Sequence, residues 1–407
     1  MNTQHGTNLT NVKEKNRALA LKLIATEQSV SRVDLARKMH LTKTTLGNIV
    51  SELIEKDMIS EYSSQEKTSE LSLGRRPITL DLSPTSPLIA GMLIKRNLLT
   101  VILADLKGNV KAQSNYEYQT MDEATLIDKL LKMYKQLSSG QSRRIVAIGI
   151  SSMGPVDTVR KMILSPSAFW GIHDVPIGSI ISEKTGLPTF VIHDCSAGAL
   201  AEKLYGNKTN PYSNMIYLHI MNGIGAGYIL HGNVYEGDPG QNIELAHTSI
   251  QFGGPKCTCG NTGCLSLYAN TEQMNEKIHM LQETYPLSGI LPRKPHYSWE
   301  EIIGAASAGD FFAISAVDEF CTYLVCALRN TLNLLAIHHI VVGYNASDPT
   351  SILEDVLSSK LNTQAPNTFT QPITIEKSTF GGDAPLIGAI AVVADKIFHG
   401  ELNIFSS

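Results

Sequence analysis

Three of the chain's six cysteines fall within one short loop, Cys257-Thr258-Cys259-Gly260-Asn261-Thr262-Gly263-Cys264, and His247 precedes them. Glycines inside the loop let so short a segment bend until the thiolates converge. One imidazole and three thiolates make a tetrahedral donor set suited to zinc, His247, Cys257, Cys259 and Cys264. Four protein ligands leave no position open for a substrate, so the metal is expected to be structural. The alternative is a set of buried free thiols. Disulfides are the less expected use in a reducing compartment. Cys195, Cys321 and Cys326 lie in apolar helical surroundings and read as core residues.

At 407 residues the chain is too long for one ordinary core, and two or three domains are expected. No stretch reaches the roughly 18 to 20 unbroken apolar residues of a membrane span, and the polar start lacks the apolar core of a signal peptide. The cytoplasm is therefore the expected compartment, with no membrane partner. Net charge is slightly negative, which argues against nucleic acid until it is divided along the chain. Residues 1–80 carry 12 Lys and Arg against 9 Asp and Glu, and the remainder 22 against 29. A mildly basic head on an acidic body suits a DNA-reading module attached to something else.

The head supports that division. Residues 16–25 are rich in helix formers. Ser31 stands at an N-cap, with Asp34 placed to reach back. Thr42 caps a third helix whose apolar positions, Leu46, Ile49, Val50, Leu53 and Ile54, form one stripe. Two short helices joined by a tight turn form a helix-turn-helix, and the second exposes Lys43, Thr44, Thr45 and Asn48 opposite its stripe. Asn and Lys there can bond base edges, and Thr a base or a phosphate. Arg32, at the start of the first of the two helices, is placed with them. A helical hairpin with a solvated face would show the same stripe. Beyond it, a strand at 57–61 and a strand at 78–82 flank a polar run ending in Gly74-Arg75-Arg76-Pro77. That reads as a wing, whose Arg75 and Arg76 suit a narrow minor groove.

From about residue 87 onward, β-rich stretches (89–104, 145–151, 189–193, 215–220, 227–230, 340–342, 373–376) alternate with helical ones (123–137, 196–204, 298–308, 311–337, 352–361, 385–399). Alternation of this kind predicts α/β layers, with a ligand crevice outside the strand ends.

Taken together these segments resemble the ROK family of repressors and sugar kinases along essentially the whole chain, and its repressor branch because of the head. Gly254 to Cys264, with His247 before it, is similar to the family's zinc signature. Gly149-Ile150-Ser151-Ser152-Met153-Gly154-Pro155-Val156-Asp157 resembles its sugar-domain turn. Gly186-Leu187-Pro188 leading to His193-Asp194 and Ala201-Glu202 resembles its catalytic segment. The resemblance implies an α/β fold: an N-terminal winged helix-turn-helix (1–82) followed by a two-lobed actin-like, sugar-kinase (ribonuclease H-like) domain (83–407). The lobes are expected at about 87–195 plus the C-terminal helix, and at 196–384, with the zinc loop at 247–264.

The resemblance also assigns roles. Asp194 occupies the place of the kinase base, with His193 where the family has Asn. Glu244 and His247 match the residues that hold sugar hydroxyls, although their flanking glycines have become Ile243 and Ala246. A second sugar-holding Glu is here Ser266. Family kinases open this domain with Asp-x-Gly-Gly-Thr, whose amides and acid hold phosphates and magnesium; this chain has Lys95-Arg96-Asn97 at that place. Their second phosphate loop, Gly-Thr-Gly, reads Met221-Asn222-Gly223. Without phosphate binding, Asp194 has nothing to direct a sugar oxygen towards and becomes a hydroxyl acceptor. The expectation is a repressor that binds an operator duplex and answers to a monosaccharide or sugar phosphate, as a homodimer or homotetramer. An active sugar kinase with a regulatory head, and a repressor governed by a protein partner, are the alternatives.

Overall fold

The computed structural model describes residues 9–27, 29–63, 78–166, 169–206, 213–221, 223–238, 240–286, 289–346, 350–363 and 371–405. These form two compact units, residues 1–192 with 389–407 and residues 193–388.

The first unit begins with α1 (Leu9–Thr26), β1 (Val30–Ser31), α2 (Arg32–Lys38), α3 (Lys43–Glu55), β2 (Ile59–Ser63) and β3 (Ile78–Leu82). Ala18 and Leu21 of α1, Leu35 of α2 and Leu46, Ile49, Val50 and Leu53 of α3 are buried together as the head's core. Local chemistry sets the helix starts. Ser31 and Asp34 form a reciprocal capping box, and those bonds hold the Asp34 carboxyl below the usual carboxylate range. Thr42 caps α3 by accepting the Thr45 amide at 3.2 Å. The strands lie in the order β1-β3-β2, with β2 and β3 antiparallel from Ile59↔Leu82 to Ser63↔Ile78. The expected wing tip with Arg75 and Arg76 falls in 64–77, outside the described residues.

The C-terminal tail docks on this head. Arg17 of α1 pairs with Glu52 of α3 and lies 5.1 Å from the centre of the Phe405 ring, while the Lys56 amino group donates to the Phe405 carbonyl. Arg144 donates to the Ile404 carbonyl at 2.7 Å. The Arg17 side chain is only 11% exposed, and removing it leaves Glu52 with Lys13 as its remaining partner at 3.0 Å. Arg17→Ala is expected to cost about 2 kcal/mol in urea unfolding of the first unit, from the lost pair and the lost packing on Phe405. A loss below about 1 kcal/mol would mean that water screens the pair as it does on a surface.

The rest of the first unit is β4 (Leu88–Ile94), β5 (Leu98–Ala104), β6 (Val110–Glu117), α4 (Glu123–Ser138), β7 (Ile145–Ser152), β8 (Val156–Asp157), β9 (Met162–Ile163), α5 (Ile177–Thr185) and β10 (Thr189–His193). Its sheet runs β10-β7-β4-β5-β6, with β4, β5 and β6 antiparallel and β4 parallel to β7. The β-rich stretch over 89–104 is thus a hairpin, turned at Lys95-Arg96-Asn97.

In the second unit follow α6 (Asp194–Tyr205), β11 (Met215–Ile220), β12 (Ile224–Leu230), β13 (Asn233–Tyr235), α7 (Thr271–Thr284), α8 (Trp299–Ser307), α9 (Phe311–Leu335), β14 (His339–Gly343), α10 (Ile352–Thr363) and β15 (Thr374–Lys377), with α11 (Ala384–Phe398) completing the chain's helices. The sheet runs β13-β12-β11-β14-β15, again three antiparallel strands joined to parallel ones. The same order therefore occurs twice, which is the duplicated topology of the actin-like, ribonuclease H-like fold. Among the described residues α9 alone is long and apolar enough to cross a membrane, with mean hydropathy 1.6. Its apolar face, including Phe312, Ala316, Val317, Phe320, Leu324, Leu328 and Leu332, is buried in the core of its unit.

Candidate metal centre, effector site and DNA face

A short 3-10 turn, Leu245–His247, presents the imidazole, and a small hairpin presents the thiols. The hairpin is closed by bridges between Ser249 and Cys264 and between Lys256 and Thr262. The Cys257 amide donates to the Asn261 carbonyl at 2.8 Å, and the Asn261 side chain donates to the His247 carbonyl at 3.0 Å. Gly263 has φ +65°, and a Cβ there would lie 2.0 Å from the Gln251 carbonyl oxygen, so no other residue fits.

The four donor atoms lie within 4.8 Å of one another. Cys257 Sγ is 3.6 Å from His247 Nδ1, and the sulfurs of Cys259 and Cys264 are 3.7 Å apart. All of these cysteines are free. A zinc tetrahedron with bonds of about 2.3 Å to sulfur and about 2.0 Å to nitrogen has edges of roughly 3.8 and 3.6 Å, so the donors already stand at the right spacing. The Cys259 amide, bonded to Cys257 sulfur, is the chief cause that brings the Cys257 thiol down to about 6, while burial pushes Cys264 up to about 12. Donor chemistry and spacing both fit a metal ion held by His247, Cys257, Cys259 and Cys264.

Of the other residues singled out in the second unit, Glu244 and Ser266 stand beside this cluster. Glu244 begins the turn that carries His247, whose amide donates to the Glu244 carbonyl at 3.0 Å. Ser266 Oγ lies 4.0 Å from Cys257 Sγ. Asp194 opens α6 directly after β10. Its Oδ1 accepts the Cys195 amide at 2.7 Å and lies 3.4 Å from His193 Nε2. Burial, then the charge and hydrogen bond of Asp194 and the charge of Glu244, push the Cys195 thiol well above its ordinary range. Carboxylates and an imidazole can accept from and donate to the hydroxyls of a polyol.

A feature that the motif comparison missed holds Asp194 in place. A Cβ on Gly225 would lie 2.3 Å from Cys195 Sγ, and one on Gly227 would lie 2.1 Å from the Cys195 carbonyl oxygen. The two glycines of β12 therefore let the first turn of α6 lie directly on the sheet. Their spacing of two, on one face of the strand, was the available signal. Tyr217 is likewise fully buried against Gly198 and Gly343, with its hydroxyl 3.1 Å from His219 Nδ1.

The turn at Lys95-Arg96-Asn97, where the family resemblance puts the kinases' first phosphate loop, is a tight hairpin end. The Lys95 amide donates to the Leu98 carbonyl at 3.0 Å, and the Tyr118 hydroxyl donates to the Lys95 carbonyl at 2.5 Å. Tyr118 packs on Trp170, ring centres 5.3 Å apart. At the second place the Met221 amide donates to the Gly223 carbonyl, and residue 222 lies outside the described residues.

On the head, Lys43, Thr44, Thr45 and Asn48 are all exposed on α3. Thr45 shares its hydroxyl with the cap, 2.9 Å from that of Thr42. Arg32 donates from Nε to Glu61 at 2.7 Å, so its charge is partly engaged within the protein.

The profile of the ROK family matches residues 91–396. The xylose repressor of Bacillus subtilis is 28% identical over 390 residues, which cover 94% of this chain and 96% of that protein. The DNA-binding transcriptional repressor Mlc of Escherichia coli is 26% identical, covering 97% of this chain and 96% of that one. Among solved structures, a ROK family transcriptional regulator described as a homologue of E. coli Mlc superposes with a TM-score of 0.78 at 27% identity, covering 96% of this chain and 97% of its own. A ROK family glucokinase from Streptomyces griseus, solved with glucose and an ATP analogue, superposes at 0.66 with 21% identity; it covers 98% of its own chain but 75% of this one. The chain belongs to the ROK family.

Proposed function

We propose that this chain is a DNA-binding transcriptional repressor of carbohydrate genes, governed by a sugar held in a ROK domain that no longer phosphorylates. The observation that carries this reading is coverage. Regulators cover 94–97% of the chain, whereas the kinase, matched over 98% of its own length, covers 75% of it. In this reading residues 1–82 are the DNA reader, and 83–407 bind the effector and join the subunits into a homodimer or homotetramer in the cytoplasm.

Lys43, Thr44, Thr45 and Asn48 face the duplex in the major groove, with Arg32 beside them and Arg75 and Arg76 on the wing. Asp194 and Glu244 accept sugar hydroxyls, with His193, His247 and Ser266 as further partners. Once a bound sugar covers these partly open carboxylates, an oxygen left unpaired would cost about 1–3 kcal/mol, which is how such a site tells one sugar from another. His247, Cys257, Cys259 and Cys264 would hold a structural zinc that ties the 247–264 loop and, by fixing the His247 ring, would aim its other nitrogen at the effector. Lys95, Arg96 and Asn97 supply neither the acid nor the glycines that phosphates and magnesium require, so Asp194 acts as an acceptor rather than a base.

Two readers must meet two half-sites about one helical turn apart. An effector that prefers the DNA-incompetent arrangement by about 5.5 kcal/mol moves the population from 1:99 to 99:1. The test is a gel shift on duplexes from the protein's own promoter region, titrated with free and phosphorylated sugars, beside a coupled ATP assay. One sugar is expected to release the DNA, with no ATP consumed. ATP turnover on a monosaccharide would establish the kinase instead, and indifference to every sugar would overturn the effector site.

A further inference from the structure

The head is held to the rest of the first unit at more than one place. Along the chain it is joined through the short segment 83–87, where the Ser83 amide donates to the Met58 carbonyl at 3.0 Å and Arg143 donates to the Ser86 carbonyl at 2.6 Å. Near it Lys107 pairs with Asp81 of β3 at 2.6 Å. On the head these contacts fall at β3 or at the residue before β2. A head held at its strands alone can swing about them, since a small interface between chain segments leaves relative motion open.

Residues 399–405 supply a second hold, on the helices. Gly400 has φ +73°, and a Cβ there would lie 3.8 Å from the Ala18 methyl group and 3.9 Å from Lys15 Cα, so the chain turns directly against α1. Asn403 donates to Glu14 at 3.3 Å. Ile404 and Phe405 are buried, 4% and 6% exposed. The Arg17 guanidinium lies over the Phe405 ring and also pairs with Glu52 of α3, while the Phe405 carbonyl accepts from Lys56, the C-cap of α3. The Ile404 carbonyl accepts from Arg144, the residue before β7. Two successive carbonyls are thus gripped by different partners. One partner stands at the start of a strand of the main sheet, and the other ends the helix whose first turns carry Lys43, Thr44, Thr45 and Asn48.

We infer that the 399–405 segment is a clasp that sets the angle of α3, with Phe405 and Lys56 as its positioning residues, so that the heads of an oligomer meet two half-sites at once. This rests on the repressor reading and gives residues distant in the sequence a part in operator binding without any contact to DNA. The lever is long. Helix α3 has 13 residues and spans about 20 Å, so a swing of about 15° about its clasped end moves its first turn by about 5 Å. No hydrogen bond to a base edge survives a displacement of that size.

The experiment uses the full chain, with fluorescence anisotropy on labelled duplexes tiled across the DNA beside its own gene, over a range of salt and at a temperature where calorimetry shows every variant folded. The salt slope separates a positioning role from a structural one, because it counts the phosphates engaged and does not change when a fraction of the protein is merely unfolded. Phe405→Ala is expected to lower the thermal midpoint by about 8 °C, to weaken binding to the preferred duplex about a hundredfold and to reduce the slope to about half as one head disengages. Phe405→Tyr keeps a ring beneath Arg17 and is expected to restore affinity and slope. Lys56 is exposed, so Lys56→Met is expected to hold the midpoint within about 2 °C. It should still weaken binding about tenfold, with a slope loss larger than the one charge removed. A slope lower by only about one would make Lys56 a phosphate contact and overturn its positioning role. If Phe405→Ala lost midpoint but kept its affinity, or lost affinity at an unchanged slope, the clasp would serve stability alone while the repressor reading stood. Should the unmodified protein bind none of the duplexes, the repressor reading fails first and takes the clasp with it.

Discussion

Replacing Cys257 with serine is expected to leave the purified protein without its metal and to lower the thermal midpoint of the second unit by about 10 °C. Backbone bonds from the Ile250 amide to Gly263, from Cys257 to Asn261 and from Gly263 to Pro255 hold the 249–264 hairpin, with Cys257 and Cys264 buried and Cys259 exposed. An ion shared by the four donors, which lie within 4.8 Å of one another, would add to that frame. A serine hydroxyl is a poor ligand beside a thiolate, and structural zinc contributes about 10–16 kcal/mol in small isolated sites. Only part of that is expressed here, since the unit has its own core under the loop. A loss of about 4 kcal/mol gives the quoted shift. Elemental analysis beside calorimetry checks both halves. A variant that kept its midpoint would show that the loop folds without an ion, and one that kept a full equivalent of metal would place the donors elsewhere.

The contrast between what could and could not be read from residues is physical. Caps and stripes are local, so Ser31, Asp34 and Thr42 marked the starts of α2 and α3 directly. The cysteine loop was legible because few other uses bring three thiols so close. Three elements left no such trace. Strand β6 is an edge whose inward positions, Ala112, Ser114 and Tyr116, are only half buried, so apolar alternation is faint. Helix α5 is short. Helix α7 buries Asn275 and Gln282 beside Met274 and Ile278, because the two amides bond to Tyr297 and to nearby loop carbonyls. Half of its buried stripe is thus polar and invisible to a hydrophobic period. Docking of Phe405 on Arg17 and Lys56 joins opposite ends of the chain, and no local pattern announces it. For the candidate effector site the family resemblance singled out Asp194, Glu244 and His247 and gave no role to Gly225 or Gly227. In the structure both glycines serve the close packing of α6 on β12.

That packing carries the second large effect. Gly227→Ala is expected to abolish sugar-driven release of DNA while leaving DNA binding itself intact. The new methyl carbon would stand 2.1 Å from the Cys195 carbonyl oxygen, 2.6 Å from its carbon and 3.0 Å from the Ala199 methyl group. The first two are backbone atoms, so no rotamer change relieves the clash and the start of α6 must lift by about 1 Å, at a stability cost of about 1–3 kcal/mol. Asp194 is the first residue of α6 and His193 the last of β10, so both move with that turn, and a displacement of about 1 Å is enough to cost hydroxyl contacts about a hundredfold. Gly225→Ala provides the comparison, because its methyl would meet the Cys195 sulfur at 2.3 Å, a side-chain atom. Shortening that side chain with Cys195→Ala should restore the response of Gly225→Ala and leave Gly227→Ala silent, an interaction between neighbours that a double-mutant cycle measures. The readout is the sugar concentration that half-releases the operator duplex. If Gly227→Ala answered the sugar as the unmodified protein does, the start of α6 would not belong to the effector site, and Asp194 would be no more than a cap on its own helix.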